Sequence, residues 1–271
     1  MGFRAIATDL DGTLLRSDQS VSDRTRDAVL AAEDAGIMVV IATGRPPRWI
    51  APVIEQLGDR GLVVCANGAS VYDPARHELV HRLDLDPAVV SDIVDDLERA
   101  VPLAVMGVEQ GFEFGVDHRY EQLQPDLVAL LTDVRIGPIR SFLDQPVTKL
   151  IVRLPHPAPA GTAASVQEIV GQRGLVTHST NESFLEISHP EAHKARTVEL
   201  LLKEHGHTAS QTVAFGDMPN DLEMIRWAGL GVAMGNAHPD LIAVADLVTA
   251  GNDEDGVARV IESVLTGGLD L

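Results

Sequence analysis

Short apolar runs alternate along this chain with longer stretches in which apolar residues recur every three or four positions. Residues 5–8 (Ala-Ile-Ala-Thr) predict a buried strand. Residues 21–35 predict a helix, with Ala28, Val29, Ala32 and Ala35 on one face and Gly36 as its stop. A second β-branched strand is predicted over 37–42, a short helix over 49–57 and a third strand over 62–66. This order predicts βαβ units and a parallel sheet covered on both faces.

The pattern changes between residues 82 and 188. A helix over 87–100 precedes strands at 103–108 and 112–116, with Glu109-Gln110-Gly111 as the expected hairpin turn. A helix over 125–131, a strand over 149–154, a loop over 155–161, a helix over 162–171 and strands near 175–178 and 184–187 follow. The earlier alternation then returns: a helix over 195–205 with Val198, Leu201 and Leu202 inward, a strand over 212–216, a helix over 221–228, a strand over 231–234, and short elements to the end. The expected fold is α/β: a doubly wound, Rossmann-like parallel-sheet core, residues 1–81 and 189–271, interrupted by an α+β domain over 82–188.

The chain of 271 residues carries 21 Lys+Arg against 40 Asp+Glu, a net charge of −19. Such a surface disfavours nucleic-acid binding and polybasic membrane attachment. The single cysteine, Cys65, rules out an intrachain disulfide and lies in an apolar run, so it reads as core. Asp9 interrupts any leader-like apolar segment, and no run approaches the length of a membrane span. A soluble, cytoplasmic protein is expected. Its oligomeric state is not readable.

Ligands bind outside the carboxyl ends of strands in open parallel sheets. Three predicted strands end there in polar, glycine-containing turns: Asp9-Leu10-Asp11-Gly12-Thr13, Thr43-Gly44-Arg45 and Gly216-Asp217-Met218-Pro219-Asn220-Asp221. If those strands are neighbours, Asp9, Asp217 and Asp221 converge, and three crowded carboxylates call for a cation, with Mg²⁺ suited to an all-oxygen set. Each piece has a plainer reading: Asp11-Gly12 as a turn, Asn220 or Asp221 as a helix cap, Lys194 as a solvated surface lysine. Lys194 opens a helix, where a cation opposes the dipole, so helix stability gives no reason for it.

Together the segments Asp9-Leu10-Asp11-Gly12-Thr13-Leu14, Thr43-Gly44-Arg45, Lys194 and Gly216-Asp217-Met218-Pro219-Asn220-Asp221 resemble the four motifs of the haloacid dehalogenase superfamily. Asn67-Gly68-Ala69, Ala233-Met234-Gly235-Asn236-Ala237 and Glu254-Asp255-Gly256-Val257 resemble its Cof-type phosphatase branch, which carries a type IIB cap between the second and third motifs. Members often have glycine three residues before the motif-three lysine and just after it; here those positions are Glu191 and Ala195.

The resemblance implies a Mg²⁺-dependent phosphatase acting on small phosphorylated metabolites, such as sugar phosphates, through an aspartyl-phosphate. Asp9 is then the nucleophile and Asp11 the general acid and base. The metal falls to Asp9, the Asp11 carbonyl and Asp217, with Asn220 and Asp221 orienting its shell. Thr43, Gly44 and Lys194 hold the phosphoryl oxygens, and Arg45 and Asn220 are further substrate-binding candidates. Lys194→Ala is expected to cost activity far more than stability. Arg48, His118, Arg119, Tyr120 and Arg153 suit either substrate contact or plain surface. A phosphomutase or phosphotransferase of the same family, or a phosphate-binding regulator with little turnover, remain the alternatives. Retention of both Asp9 and Asp11 argues against the regulator, because binding alone needs no general acid.

Overall fold

Strand β1 (Ala5–Thr8) is buried at every residue and sits in the middle of a sheet, parallel to β2 (Met38–Ala42) on one side and to β12 (Thr212–Gly216) on the other. The structure is a computed structural model describing residues 2–123, 134–178 and 182–268. Among these residues the chain divides into two compact units, one of 1–45, 49–81 and 193–271, the other of 46–48 and 82–192.

The first unit holds an eight-stranded sheet among the described residues. Outward from β2 come β3 (Leu62–Cys65), β4 (Ser70–Asp73) and β5 (Glu78–Arg82). Outward from β12 come β13 (Leu230–Ala233) and β14 (Leu247–Val248). Strands buried on both faces gain by being apolar throughout, which is why they read as continuous runs rather than as alternation. Their carboxyl ends lie side by side, so the loops after β1, β2 and β12 are brought together by the strand order alone.

Helix α1 (Asp23–Asp34) starts where the Ser22 hydroxyl accepts from the Thr25 amide at 3.0 Å, and turns Ala28, Val29 and Ala32 inward. Ala35, expected on that face, is exposed, because the helix ends before it. The sheet is not wholly parallel as expected: β3 and β4 run antiparallel, and β4–β5 form a hairpin that the pattern did not predict. β5 is an edge strand with four of its five residues exposed, so it carries no apolar periodicity to find.

The second unit has its own core. Its six-stranded sheet, again among the described residues, has the order β10 (Leu175–Thr177), β11 (Phe184–Ser188), β9 (Lys149–Arg153), β6 (Val105–Gln110), β7 (Glu113–Val116) and β8 (Val134–Ile136). Helices α3 (Pro87–Ala100) and α5 (Thr162–Val170) share a core with Met106, Val108, Leu150, Val152, Leu185 and Ile187. Helix α4 (His118–Leu123) also belongs to this unit, whereas α2 (Ala51–Leu57) belongs to the first. The helix expected over 125–131 lies outside the described residues.

The β6–β7 turn falls at Gly111-Phe112, not at 109–111, since Gln110 still pairs with Glu113. Glu109 and Gln110 look like turn residues but are strand residues with buried partners: Arg48 donates to Glu109 at 2.9 Å, and Gln110 Nε2 donates to the Phe142 carbonyl at 2.8 Å. Tyr120 is likewise not a surface residue; it packs edge-on against Phe114 in a small cluster with Val105, Val116 and Ile151. His118 and Arg119 are exposed, and the Arg153 guanidinium lies over the Phe184 ring.

Lys149 is almost fully buried and donates to Glu186 at 2.7 Å. Burial pulls its ammonium pKa down, but Glu186 and Glu109 outweigh that and hold it above the ordinary lysine value. Removing one partner leaves a buried charge without compensation. Lys149→Met is therefore expected to cost about 3–5 kcal/mol, and Lys149→Met with Glu186→Leu far less. Urea midpoints of the two variants check this.

Candidate active site

Asp9 follows β1 directly, and its amide still bonds to the Phe215 carbonyl at 3.0 Å, so the sheet fixes where its side chain starts. The chain then makes one wide turn over Leu10–Leu14, closed by the Leu15 amide on the Leu10 carbonyl at 2.9 Å. Gly12 takes φ +75° inside it, and a Cβ there would lie 2.4 Å from Asp217 Oδ2. Glycine is thus required twice over, by conformation and by the approach of the carboxylate. Gly12→Ala is expected to cost about 1–3 kcal/mol of stability and to weaken divalent-metal binding as Asp217 is pushed aside. A thermal melt and a calorimetric Mg²⁺ titration check both halves.

Lys194 is the first residue of helix α6 (Lys194–Glu204) and is 3% exposed. Its ammonium donates to Asp9 Oδ1 at 2.8 Å and to Asp221 Oδ1 at 2.7 Å. The surface reading of this lysine is therefore wrong. Burial pulls its pKa down, yet the two carboxylates hold it above the ordinary value.

Asp221 is fully buried and stands just before helix α7 (Leu222–Trp227), but its carboxylate does not cap that helix. Its second oxygen instead accepts from the amides of Asp217 and Met218, at 3.2 and 3.1 Å, and so closes the loop that carries Asp217. Asp217 accepts from the Thr13 hydroxyl at 3.0 Å.

One oxygen from each of Asp9, Asp217 and Asp221 lies within 4.8 Å of the others. Lys194 brings one positive charge into this trio, leaving a buried excess of negative charge. The strain shows in their ionisation. Burial, followed by the Asp221 charge, pushes Asp9 up to about 8 despite Lys194. Burial and Asp221 push Asp217 up to about 6. An all-oxygen set with surplus negative charge fits a hard divalent cation, which would neutralise it.

Thr43 follows β2 and is fully buried. Its hydroxyl accepts from the Arg45 amide at 3.1 Å, which leaves its own proton for an acceptor in the crevice. Arg45 turns its guanidinium onto Asp11, with Nε to Oδ2 at 2.9 Å and Nη2 to Oδ1 at 2.5 Å, and it also bonds Gln19. Asp11 is half exposed on its side chain. Its carboxylate therefore lies apart from the buried aspartates and is held by a two-pronged bond. Asn220 is exposed and donates to Asn67 Oδ1 at 3.3 Å.

Three residues of the quoted motifs, to which the sequence assigns no role, gain one from the structure. Thr13 orients Asp217, Asn236 donates to the Gly12 carbonyl at 2.8 Å, and Asn67 meets Asn220. Asn67 and Asn236 both lie just beyond the carboxyl ends of sheet strands, β3 and β13, the same positional signal that marks the aspartates.

A model of the haloacid dehalogenase-like hydrolase family matches residues 6–261. The chain belongs to the haloacid dehalogenase-like hydrolases. Several proteins of Bacillus subtilis (strain 168) named as phosphatases or putative phosphatases are similar to it over nearly their whole length. A putative phosphatase, YxeH, is 30% identical over 97% of this chain and 98% of its own. The 5-amino-6-(5-phospho-D-ribitylamino)uracil phosphatase YitU is 31% identical over 95% and 96%. Among solved structures, a haloacid dehalogenase-like hydrolase from Bacteroides thetaiotaomicron superposes with a TM-score of 0.82 at 28% identity, covering 97% of this chain and 99% of its own. No helix among the described residues of this hydrolase is long and apolar enough to cross a membrane.

Proposed function

We propose that this hydrolase is a Mg²⁺-dependent cytoplasmic phosphatase that removes phosphate from small phosphorylated metabolites, such as sugar phosphates, through an aspartyl-phosphate on Asp9. The observation that carries the reading is the buried Asp9–Lys194–Asp221 chain of bonds beside Asp217. A structural ion pair needs no third carboxylate, and a phosphoryl site needs both a nucleophile and a cation to gather charge.

Asp9 and Asp217 would hold the ion through carboxylate oxygens and Asp11 through its backbone carbonyl, with Asn220 and Asp221 orienting the surrounding groups. When bound, the ion supplies positive charge against the phosphoryl oxygens and keeps Asp9 ionised. The Asp9 carboxylate oxygen attacks phosphorus, and the bond from phosphorus to the ester oxygen breaks. Asp11 gives that leaving oxygen its proton. A water then attacks the aspartyl-phosphate and passes a proton back to Asp11; phosphate departs and Asp9 is again a carboxylate. The Thr43 hydroxyl, the Gly44 amide and the Lys194 ammonium hold the non-bridging oxygens, and Arg45 steadies Asp11. Such loose transition states are served chiefly by positioning and charge.

The domain division belongs to the same proposal: a catalytic core of 1–81 and 189–271, and an inserted cap domain over 82–188. Two separate hydrophobic cores support it. The similarity to YitU makes a phosphorylated ribityl compound one substrate to try.

Phosphate release should be measured across a panel of phosphorylated metabolites with Mg²⁺, with EDTA and with sugar acceptors. Release that needs the ion but no acceptor is the expected result. Release only in the presence of an acceptor would make the protein a phosphotransferase, and none with any compound would sink the reading.

A further inference from the structure

The turn after β3 is built against its own preferences. Ala66 and Asn67 take φ of +52° and +54°, and Gly68 follows at +101°. Two successive non-glycine residues in the left-handed region persist only where their surroundings over-determine them. The surroundings are the loops of the site. The Ala66 amide donates to the Arg45 carbonyl at 2.9 Å and the Asn67 amide to the Thr43 carbonyl at 3.0 Å. Thr197 of helix α6 donates to the Gly68 carbonyl at 2.8 Å. Gly68 itself lies so close to the backbone before Lys194 that a Cβ would stand 2.5 Å from the His193 carbonyl oxygen.

The Asn67 side chain completes the set. Its Oδ1 accepts from Asn220 Nδ2 at 3.3 Å, and a Cβ on Gly44 would lie 3.3 Å from the same oxygen. One turn thus ties together the loops carrying Thr43, Lys194 and Asn220. A turn needed only to reverse the chain would be served as well by glycine at 67 and would need no amide facing the crevice.

We propose that Asn67 is a positioning residue of the phosphoryl site, its amide setting Asn220 against Gly44 while its left-handed backbone holds the Thr43 peptide. This rests on the phosphatase reading above. Asn67→Gly separates the two roles, because glycine keeps the backbone and removes the amide. With p-nitrophenyl phosphate and Mg²⁺, Asn67→Gly should lower kcat/KM about five- to tenfold with an unchanged melting temperature, the effect of one lost hydrogen bond. Its affinity for orthovanadate, measured directly by calorimetry, should fall by a similar factor. In an Asn220→Ala background the same substitution should add less than about twofold, since it acts through Asn220.

Unchanged vanadate affinity and kcat/KM in Asn67→Gly would overturn the proposal, as would effects that multiply fully with Asn220→Ala. Wild-type protein that binds vanadate but hydrolyses nothing would overturn the phosphatase reading and leave the vanadate comparison to decide Asn67. Wild-type protein that binds no vanadate overturns both.

Discussion

Asp9→Asn is expected to lower phosphate release by about 10⁴-fold or more, because it replaces the attacking oxygen with a group that forms no acyl phosphate. The fold should survive. Burial, and after it the Asp221 charge, push the carboxylate's pKa up to about 8, so the amide removes a charge the site tolerates poorly. The Asn oxygen can still accept from Lys194, which also keeps its bond to Asp221. The metal-free melting temperature should therefore stay within about 3 °C of wild type. Stabilisation by Mg²⁺ should shrink, because one charged ligand is gone and the stabilisation a ligand gives rises with the logarithm of its affinity for the folded state. Rates, melts and melts with Mg²⁺ on one preparation check all three statements. A well-folded Asp9→Asn protein at wild-type rate would end the nucleophile assignment.

Lys194→Met is expected to be worse for the protein, and here the structure changes the expectation. Sequence alone predicts a loss of activity much larger than any loss of stability. Burial alters that balance. Without its ammonium, Asp9, Asp217 and Asp221 share a buried space and nothing among the described residues replaces the bonds Lys194 makes to Asp9 and Asp221. Leaving buried charge unpaired costs about 3–5 kcal/mol, which in a chain of this size is a fall of roughly 6–15 °C in the metal-free melting temperature. Turnover should fall at least about a hundredfold, the scale of losing one charged donor to the transition state. Added Mg²⁺ should recover a good part of the melting temperature and little of the rate. A variant that recovers its rate along with its melting temperature would show that Lys194 only balances charge.

Much of the core is legible in the sequence. Strands buried on both faces must be apolar along their length, so β1, β2, β3 and β12 stand out as runs, and the polar turns after β1, β2 and β12 stand out by contrast. The residues in those turns resemble the motifs of one hydrolase family, and the comparison with known hydrolases shows that the chain belongs to it. What local pattern could not carry were elements whose reasons lie elsewhere in the chain. β4 is only four residues long, β5 has too little buried surface to impose alternation, and the turn between them uses His77 in the left-handed region in place of a telltale glycine. Glu109 and Gln110 passed for turn residues because their partners, Arg48 and the Phe142 carbonyl, are 61 and 32 residues away.

The same division runs through the site. Residue type and position relative to a strand end are local properties, and they are enough to nominate Asp9, Asp11, Thr43, Asp217 and Asp221. Environment is not local. Lys194 reaches Asp9 across 185 residues of sequence, and only the packed sheet decides that this ammonium is buried rather than solvated. Whether Arg45 turns to Asp11, whether Asp221 caps a helix or closes a loop, and whether Asn67 is a plain turn residue or a brace are likewise settled by contacts between loops. Sequence chooses the groups; the tertiary structure sets their dielectric surroundings and their neighbours, and a carboxylate's chemistry depends on those as much as on its identity.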